Sequence, residues 1–249
     1  MVPYNGETLE VAAGVRKAGE ELVFFIHGLG CSKESFHHFW NRTEFTIYSA
    51  VAIDLVGHGD SVKSDDFSYT LKDQARVCSK LLRGFSAKRL HIVAHSMGGA
   101  VALLLDDDLL QSVKSFVNIE GNLIGADCGM ISRKIAKTSF ERLETEILPK
   151  LYEKTAGLEK GYAAIDFTSA KAMYQSAKSL VAWSDTEKLL GTFLGLRCLK
   201  SYFYGERNAR LPILKRLDNI SKIEINNSGH FSMLDNPDGF YDALNSVHP

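Results

Sequence analysis

The sequence predicts an α/β fold in which a mostly parallel central sheet is flanked by helices and interrupted by a helical insertion. Three observations predict it. Short apolar runs of strand length recur between amphipathic helical patterns along the 249 residues, as expected for strands joined by crossover helices. One such run, Leu90–Ala94, passes through a turn of small residues directly into a helical pattern. Between about Asn122 and Leu196 the alternation stops, leaving helical periodicity without a clear strand.

In chain order, Thr8–Ala18 reads as a leading antiparallel hairpin with Gly14 in its middle, because an isolated glycine in such a pattern marks a bend. Val23–Ile26 and Ile47–Ile53 are the next strands. Leu71–Phe85 then places Leu71, Ala75, Cys78, Leu81, Leu82 and Phe85 on one helical face. Strand Leu90–Ala94 feeds a helix over Met97–Leu110, and Ser115–Ile119 follows as a strand. Residues 122–196 form a helical insertion that Pro149, Gly157 and Gly161 divide into three or four helices. Core packing accounts for most of its aromatic residues, with Phe140 and Trp183 assigned to the cleft wall. Strands Leu199–Tyr204 and Ile223–Ile225 return to the sheet, and Asn236 caps a last helix, Pro237–Val247, with proline at the first helical position. The expected organisation is a core of residues 1–121 and 197–249 with the insertion at 122–196.

Composition narrows the function classes. Hydrophobic residues make up 45% and charged residues 24% of the chain, with a net charge of −1. These are ordinary globular values that exclude disorder, collagen and coiled coil. So balanced a chain carries no field to attract nucleic acid or anionic lipid, and a small-molecule substrate fits better. No segment has the length of a membrane span, and the N-terminus MVPYNGETLE lacks the basic start and apolar run of a signal peptide, which predicts a cytoplasmic protein. Cys31, Cys78, Cys128 and Cys198 are widely separated and match neither a zinc site nor a dithiol motif, so they read as free thiols.

The strongest chemical signal is Leu90-His-Ile-Val-Ala-His95-Ser96-Met97-Gly98-Gly99. A serine between strand and helix sits on a sharp, strained turn, and small neighbours such as Ala94, Gly98 and Gly99 let strand and helix approach. The junction also aims helical N–H groups, that of Met97 first, at the serine oxygen, favouring an anionic intermediate. Upstream, His27-Gly28-Leu29-Gly30 ends a strand in a turn whose backbone N–H, assigned to Leu29, is a second oxyanion donor. Asp54-Leu-Val-Gly57-His58-Gly59 reads as a structural loop beside the site, and His58 is not assigned as the base.

These pieces, in this order, resemble the α/β-hydrolase superfamily over essentially the whole chain, and the resemblance implies the α/β-hydrolase fold with residues 122–196 as its cap. It also implies a base: a histidine follows the last strand in that family, and His230 occupies that place, in the chain order of nucleophile before histidine. The acid departs from the commonest pattern. Most relatives place an aspartate after the strand corresponding to Leu199–Tyr204, where this chain has Gly205-Glu206-Arg207-Asn208. Some members supply the acid one strand earlier, which nominates Glu120 with Glu206 in reserve; with neither, the site lacks its acid.

The implied activity is a serine hydrolase that cleaves an ester or thioester with an apolar acyl group through an acyl-enzyme, without metal or organic cofactor. Ser96 is the nucleophile, His230 the base, Glu120 its orienting acid, and Leu29 and Met97 the oxyanion donors. Two alternatives stay open: a carbon–carbon bond hydrolase using the same groups, and a small-molecule receptor on the same scaffold with slow or no turnover. The sequence leaves the acyl chain and the oligomeric state open.

Overall fold

A computed structural model describes residues 1–85, 87–129, 131–159 and 161–247, Asp166 by its backbone only. Nine strands form. β1 (Val2–Tyr4) and β2 (Glu7–Leu9) pair as a two-stranded hairpin, and seven others, β3 (Ala13–Arg16), β4 (Glu21–Ile26), β5 (Ser49–Ile53), β6 (Arg89–His95), β7 (Val113–Ile119), β8 (Leu199–Gly205) and β9 (Ser221–Ile225), build one sheet in the order β3-β5-β4-β6-β7-β8-β9. Only β3 runs antiparallel, on the edge beside β5; β4 to β9 are parallel. The α/β-hydrolase fold read from the sequence is the fold observed.

The central strands are buried on both faces, which is why they read as continuous apolar runs. Phe24, Ile26, Ile92, Ala94 and Phe116 face one core. The alternate residues Val23, Phe25, Val93, Val117 and Phe203 face a second core on the other side of the sheet. Helix α1 (Leu71–Leu82) lays Leu71, Ala75, Cys78 and Leu82 onto the first core and is capped by Thr70, whose hydroxyl accepts from the Asp73 amide at 3.3 Å.

Three sequence expectations need correction. The leading hairpin lies at Val2–Leu9 and not at Thr8–Ala18, turning on Asn5 and Gly6 with φ of 47° and 86°, the dipeptide favoured by a tight hairpin turn. Gly14 sits instead within β3, where an added Cβ would lie 2.9 Å from the Trp40 ring; close packing explains it. The helix expected over Met97–Leu110 is two, α2 (Met97–Ala102) and α3 (Asp107–Ser112). Extended backbone at Asp106 separates them, its amide donating to Ser79 Oγ at 3.1 Å.

Between β7 and β8 lie α4 (Ser132–Ala136), α5 (Phe140–Arg142), a wider turn Leu143–Ile147 leading into α6 (Leu148–Thr155), α7 (Ala170–Asp185) and α8 (Lys188–Gly195). This is more and shorter pieces than three or four helices. After β9 come α9 (Ser232–Asp235) and α10 (Pro237–Val247), and Asn236 Oδ1 accepts from the Gly239 amide at 3.1 Å as the expected cap. No helix among the described residues is long and apolar enough to cross a membrane.

Candidate active site

Ser96, Glu120, His230 and the Leu29 turn sit just beyond the carboxyl ends of parallel strands, where open α/β sheets place their ligand sites. Leu29 follows β4, Ser96 follows β6, Glu120 follows β7, and His230 follows β9. Ser96 has φ 52° and ψ −121°, outside the regions a serine ordinarily occupies. The strain is imposed by packing. An added Cβ at Gly98 would lie 2.3 Å from the Ile26 carbonyl oxygen, so α2 approaches β4 as closely as backbone permits. The Met97 amide, at the first position of α2, has no partner within the helix and faces the turn with the positive end of the helix dipole.

His230 Nδ1 lies 2.8 Å from Glu120 Oε2. Glu120 is only 5% exposed. Its Oε1 accepts from the Gly205 amide at 2.9 Å, and the Asn208 side-chain amide lies 2.9 Å from both carboxylate oxygens. Burial pushes the Glu120 carboxyl up, but the hydrogen bond and charge of His230, followed by the donations of Gly205 and Asn208, outweigh it and hold the group below its ordinary value. Glu206 is elsewhere: exposed, it accepts from the Asn227 amide at 2.7 Å and braces the loop ahead of His230.

Ser96 and His230 line one cavity together with Leu29, Asn122, Asp127 and Phe231. Ser96 Oγ donates weakly to Asn122 Oδ1 at 3.5 Å. A second, more apolar cavity adjoins the first through Leu29, Cys31, Ile131 and Phe231 and continues between Leu151, Leu158, Ile165 and Met173. Phe140 and Trp183 are not among the residues described as lining either one. Phe140 is 37% exposed against Tyr174, with ring centroids 5.5 Å apart, and Trp183 packs on the first core beneath the Lys72 ammonium. Helical spacing could not distinguish these rings from Ile165 and Met173, because the kinks among the short helices decide which residues turn inward.

The Asp54 loop has the structural role expected of it. Asp54 is fully buried and accepts from the Lys33 amide at 2.6 Å, Lys33 Nζ at 2.8 Å and the Asp60 amide at 2.9 Å. Burial, with the neighbouring His27 charge, pushes His58 down to about 3, so it stays neutral.

Sequence reasoning missed four contributors. His95 is wholly buried, and its Nε2–H donates to the His230 carbonyl at 2.9 Å, tying the Ser96 turn to the His230 loop. Asn122 bridges the serine to the segment beyond β7, its Nδ2 donating to the Asp127 carbonyl at 2.7 Å. Asp127 accepts the Leu123 and Ile124 amides at 2.9 and 3.0 Å; burial pushes its carboxyl up to about 6 against those donations, with the Glu120 charge adding to the rise. Asn208 had been read only as the loss of an acid. The adjacency of His95 to Ser96 was a visible signal; the others depend on contacts between distant segments.

Residues 23–243 match the model of the alpha/beta hydrolase family. The chain belongs to the α/β hydrolase family. Among curated relatives, this α/β hydrolase is 26% identical over 213 residues to the probable lysophospholipase BODYGUARD 2 of Arabidopsis thaliana, a match covering 81% of this chain and 38% of that protein. It is 40% identical over 101 residues to the probable lysophospholipase BODYGUARD 4 of the same plant, covering 38% of this chain and 23% of that protein. The matched stretches thus span well under two thirds of those relatives. Among solved structures, an esterase from Exiguobacterium antarcticum superposes with a TM-score of 0.75 at 18% identity, covering 97% of this chain and 96% of that one. A bromoperoxidase from Bacillus anthracis gives 0.76 at 17% identity, covering 98% and 96%. At these identities the likeness shows the shared fold alone.

Proposed function

We propose that this α/β hydrolase is a serine esterase that transfers an apolar acyl group to Ser96 and then to water. The reading rests on one observation above the rest: His230 Nδ1 bonds to the buried Glu120 carboxylate at 2.8 Å, while His230 shares a cavity with the strained Ser96. Nδ1–H held by Glu120 leaves Nε2 as the basic nitrogen, the tautomer that a serine nucleophile needs.

The sequence of events follows from that geometry. His230 Nε2 accepts the Ser96 proton as Oγ attacks the acyl carbonyl, and the Glu120 charge stabilises the resulting imidazolium. The amides of Leu29 and Met97 donate to the oxyanion of the tetrahedral intermediate. His230 returns its proton to the leaving alcohol, and a water activated by the same nitrogen releases the acid. Asn208 supports Glu120 instead of replacing it, so an amide at that position no longer argues for an inert receptor.

Residues 122–196 act as the cap in this reading, between core residues 1–121 and 197–249. The apolar cavity bounded by Leu151, Leu158, Ile165 and Met173 supports an acyl chain of medium length. The esterase and lysophospholipase names of the relatives point to the same substrate class. A panel of p-nitrophenyl esters of increasing chain length tests the assignment. Turnover is expected to peak at a medium chain and to vanish in Ser96→Ala; wild-type rates no higher than those of Ser96→Ala on every ester would overturn it.

A further inference from the structure

Away from the cavity, three metal-competent side chains from distant parts of the chain converge. His37 and His38 lie on the turn of 3-10 helix Lys33–Asn41, and Glu159 lies in the segment after α6. Their candidate ligand atoms all fall within 4.8 Å of one another. His37 Nε2 is 3.5 Å and His38 Nε2 3.7 Å from Glu159 Oε1. We propose that these three groups form a binding site for a divalent transition ion of the Zn²⁺ class, pinning the segment that carries Glu159 to the helix that carries the histidines.

The convergence is not a default of helix geometry, because neighbours in sequence point to different faces of a helix. Here Phe36, at φ −115° and ψ 20°, breaks the regular backbone just before the pair, and the two rings lie tilted by 37° with centroids 4.0 Å apart. The ligand set suits Zn²⁺, whose bonds to imidazole and carboxylate of about 2.0–2.2 Å in a tetrahedron place neighbouring ligand atoms roughly 3.3–3.6 Å apart. The two observed separations to Glu159 need only tenths of an ångström of adjustment. Partial exposure, with the histidine side chains about one quarter and Glu159 54% open, leaves a route for the ion and room for water at the fourth position.

The second shell is already in place. His37 Nδ1 lies 2.8 Å from the Glu34 carbonyl, which can only accept, so this nitrogen carries the proton. That fixes the tautomer and turns a bare Nε2 lone pair toward Glu159, the arrangement in which a ligating histidine is ordinarily held. One divalent ion satisfies both rings and the carboxylate together.

The segment that would be pinned leads toward the apolar cavity. Two residues beyond Glu159, the Gly161 carbonyl accepts from Ser35 Oγ at 2.7 Å. Tyr162, which lines the cavity, donates to Asp235 Oδ1 at 2.7 Å. An ion at His37, His38 and Glu159 therefore stiffens a wall of that cavity from outside.

The test is Zn²⁺ binding to untagged full-length protein, measured by competition with a chromophoric chelator, together with the thermal midpoint with and without Zn²⁺. One equivalent and a raised midpoint are expected, since an ion bound only by the folded state stabilises it. Glu159→Gln and the double variant His37→Gln, His38→Gln should each weaken binding by about tenfold or more and abolish the midpoint shift. Co²⁺ should give the intense visible bands of a tetrahedral site in wild type but not in the variants. Affinity unchanged in the variants would place the zinc elsewhere and overturn the site. Absence of binding to folded wild-type protein would leave the cluster as an ion pair only and equally overturn it.

Discussion

Two Ser–His–Glu groupings lie at opposite ends of the parallel strands. At the carboxyl ends stand Ser96 and His230 with Glu120. Near the amino ends, His91 Nδ1 lies 2.8 Å from Ser115 Oγ and His91 Nε2 lies 3.0 Å from Glu21 Oε2. Ser115 Oγ touches its histidine directly, whereas the Ser96 hydroxyl donates weakly to Asn122 Oδ1 at 3.5 Å, and the surroundings differ as well. Ser115 has ordinary strand backbone and is 2% exposed, with His91 fully buried under the Tyr48 ring. Ser96 stands on a strained turn facing a cavity. Residue types and hydrogen bonds alone do not make a nucleophile; a strand end, which can present a hydroxyl to a ligand beside unpaired helix amides, supplies what a buried strand cannot.

The largest expected effect separates the two. Ser96→Ala and His230→Ala should each lower kcat on an activated ester by about 10³-fold or more, with little further loss in the double variant because the groups act as a unit. Ser115→Ala should leave kcat unchanged while lowering the urea midpoint. Steady-state rates and denaturation curves on the same preparations check both, and a large kcat loss in folded Ser115→Ala would dissolve the contrast.

A second effect, nearly as large, concerns the acid. Glu120→Gln keeps the shape but removes the charge behind His230, and kcat should fall by about 10³–10⁴-fold. Asn208→Ala should cost roughly tenfold, the size of one hydrogen bond to a charged group. Asn208→Asp sharpens the distinction, because a carboxylate against Glu120 raises its pKa. The acid limb of the pH–rate profile should move to higher pH; a gain in rate at neutral pH would mean that residue 208 and not Glu120 is the natural seat of the acid.

How much of this was legible in the sequence follows from the range of the interactions. Ser96, its glycines and the strand before it form a local unit, so spacing alone located them. Glu120 was reachable because it ends a recognisable strand, and His230 because it follows the last one. The contact of Asn208 with Glu120 was not legible, since it depends on a carboxylate 2.9 Å away that follows another strand. Phe140 and Trp183 failed as cleft residues for a related reason: the segment between β7 and β8 is broken into short helices, and periodicity lost at each kink cannot say which face turns inward. The misplaced hairpin was avoidable, because Asn5-Gly6 was in plain view.

A smaller, slower effect follows from the buried imidazoles. His27 and His91 are held below their ordinary value chiefly by burial, as is His95, well below it. Unfolded imidazoles accept protons near pH 6.5 that these refuse, so the unfolded state binds more protons and stability falls as pH drops. Their contribution should be complete above about pH 6.5 and lost progressively below it. Urea titrations between pH 8 and pH 5 should show a declining midpoint, with a shallower decline in His91→Asn at an unchanged kcat near neutral pH.

The smallest expected effect lies in the cavity wall. Leu151→Trp should lower kcat/KM for the longest esters severalfold while sparing the shortest, and Phe140→Ala should leave the chain-length preference where it was. Selectivity that follows Phe140 instead would move the acyl path to the other side of the helices.

The central claim is that the strand-end serine, and not its buried counterpart, is the activated one. Fluorophosphonate labelling of the wild-type protein, followed by intact mass and peptide mapping, tests it most directly. Rapid addition of a single label on Ser96 is expected, abolished by Ser96→Ala and greatly slowed by Glu120→Gln. No adduct on folded wild-type protein, or an adduct that maps to Ser115, would contradict it.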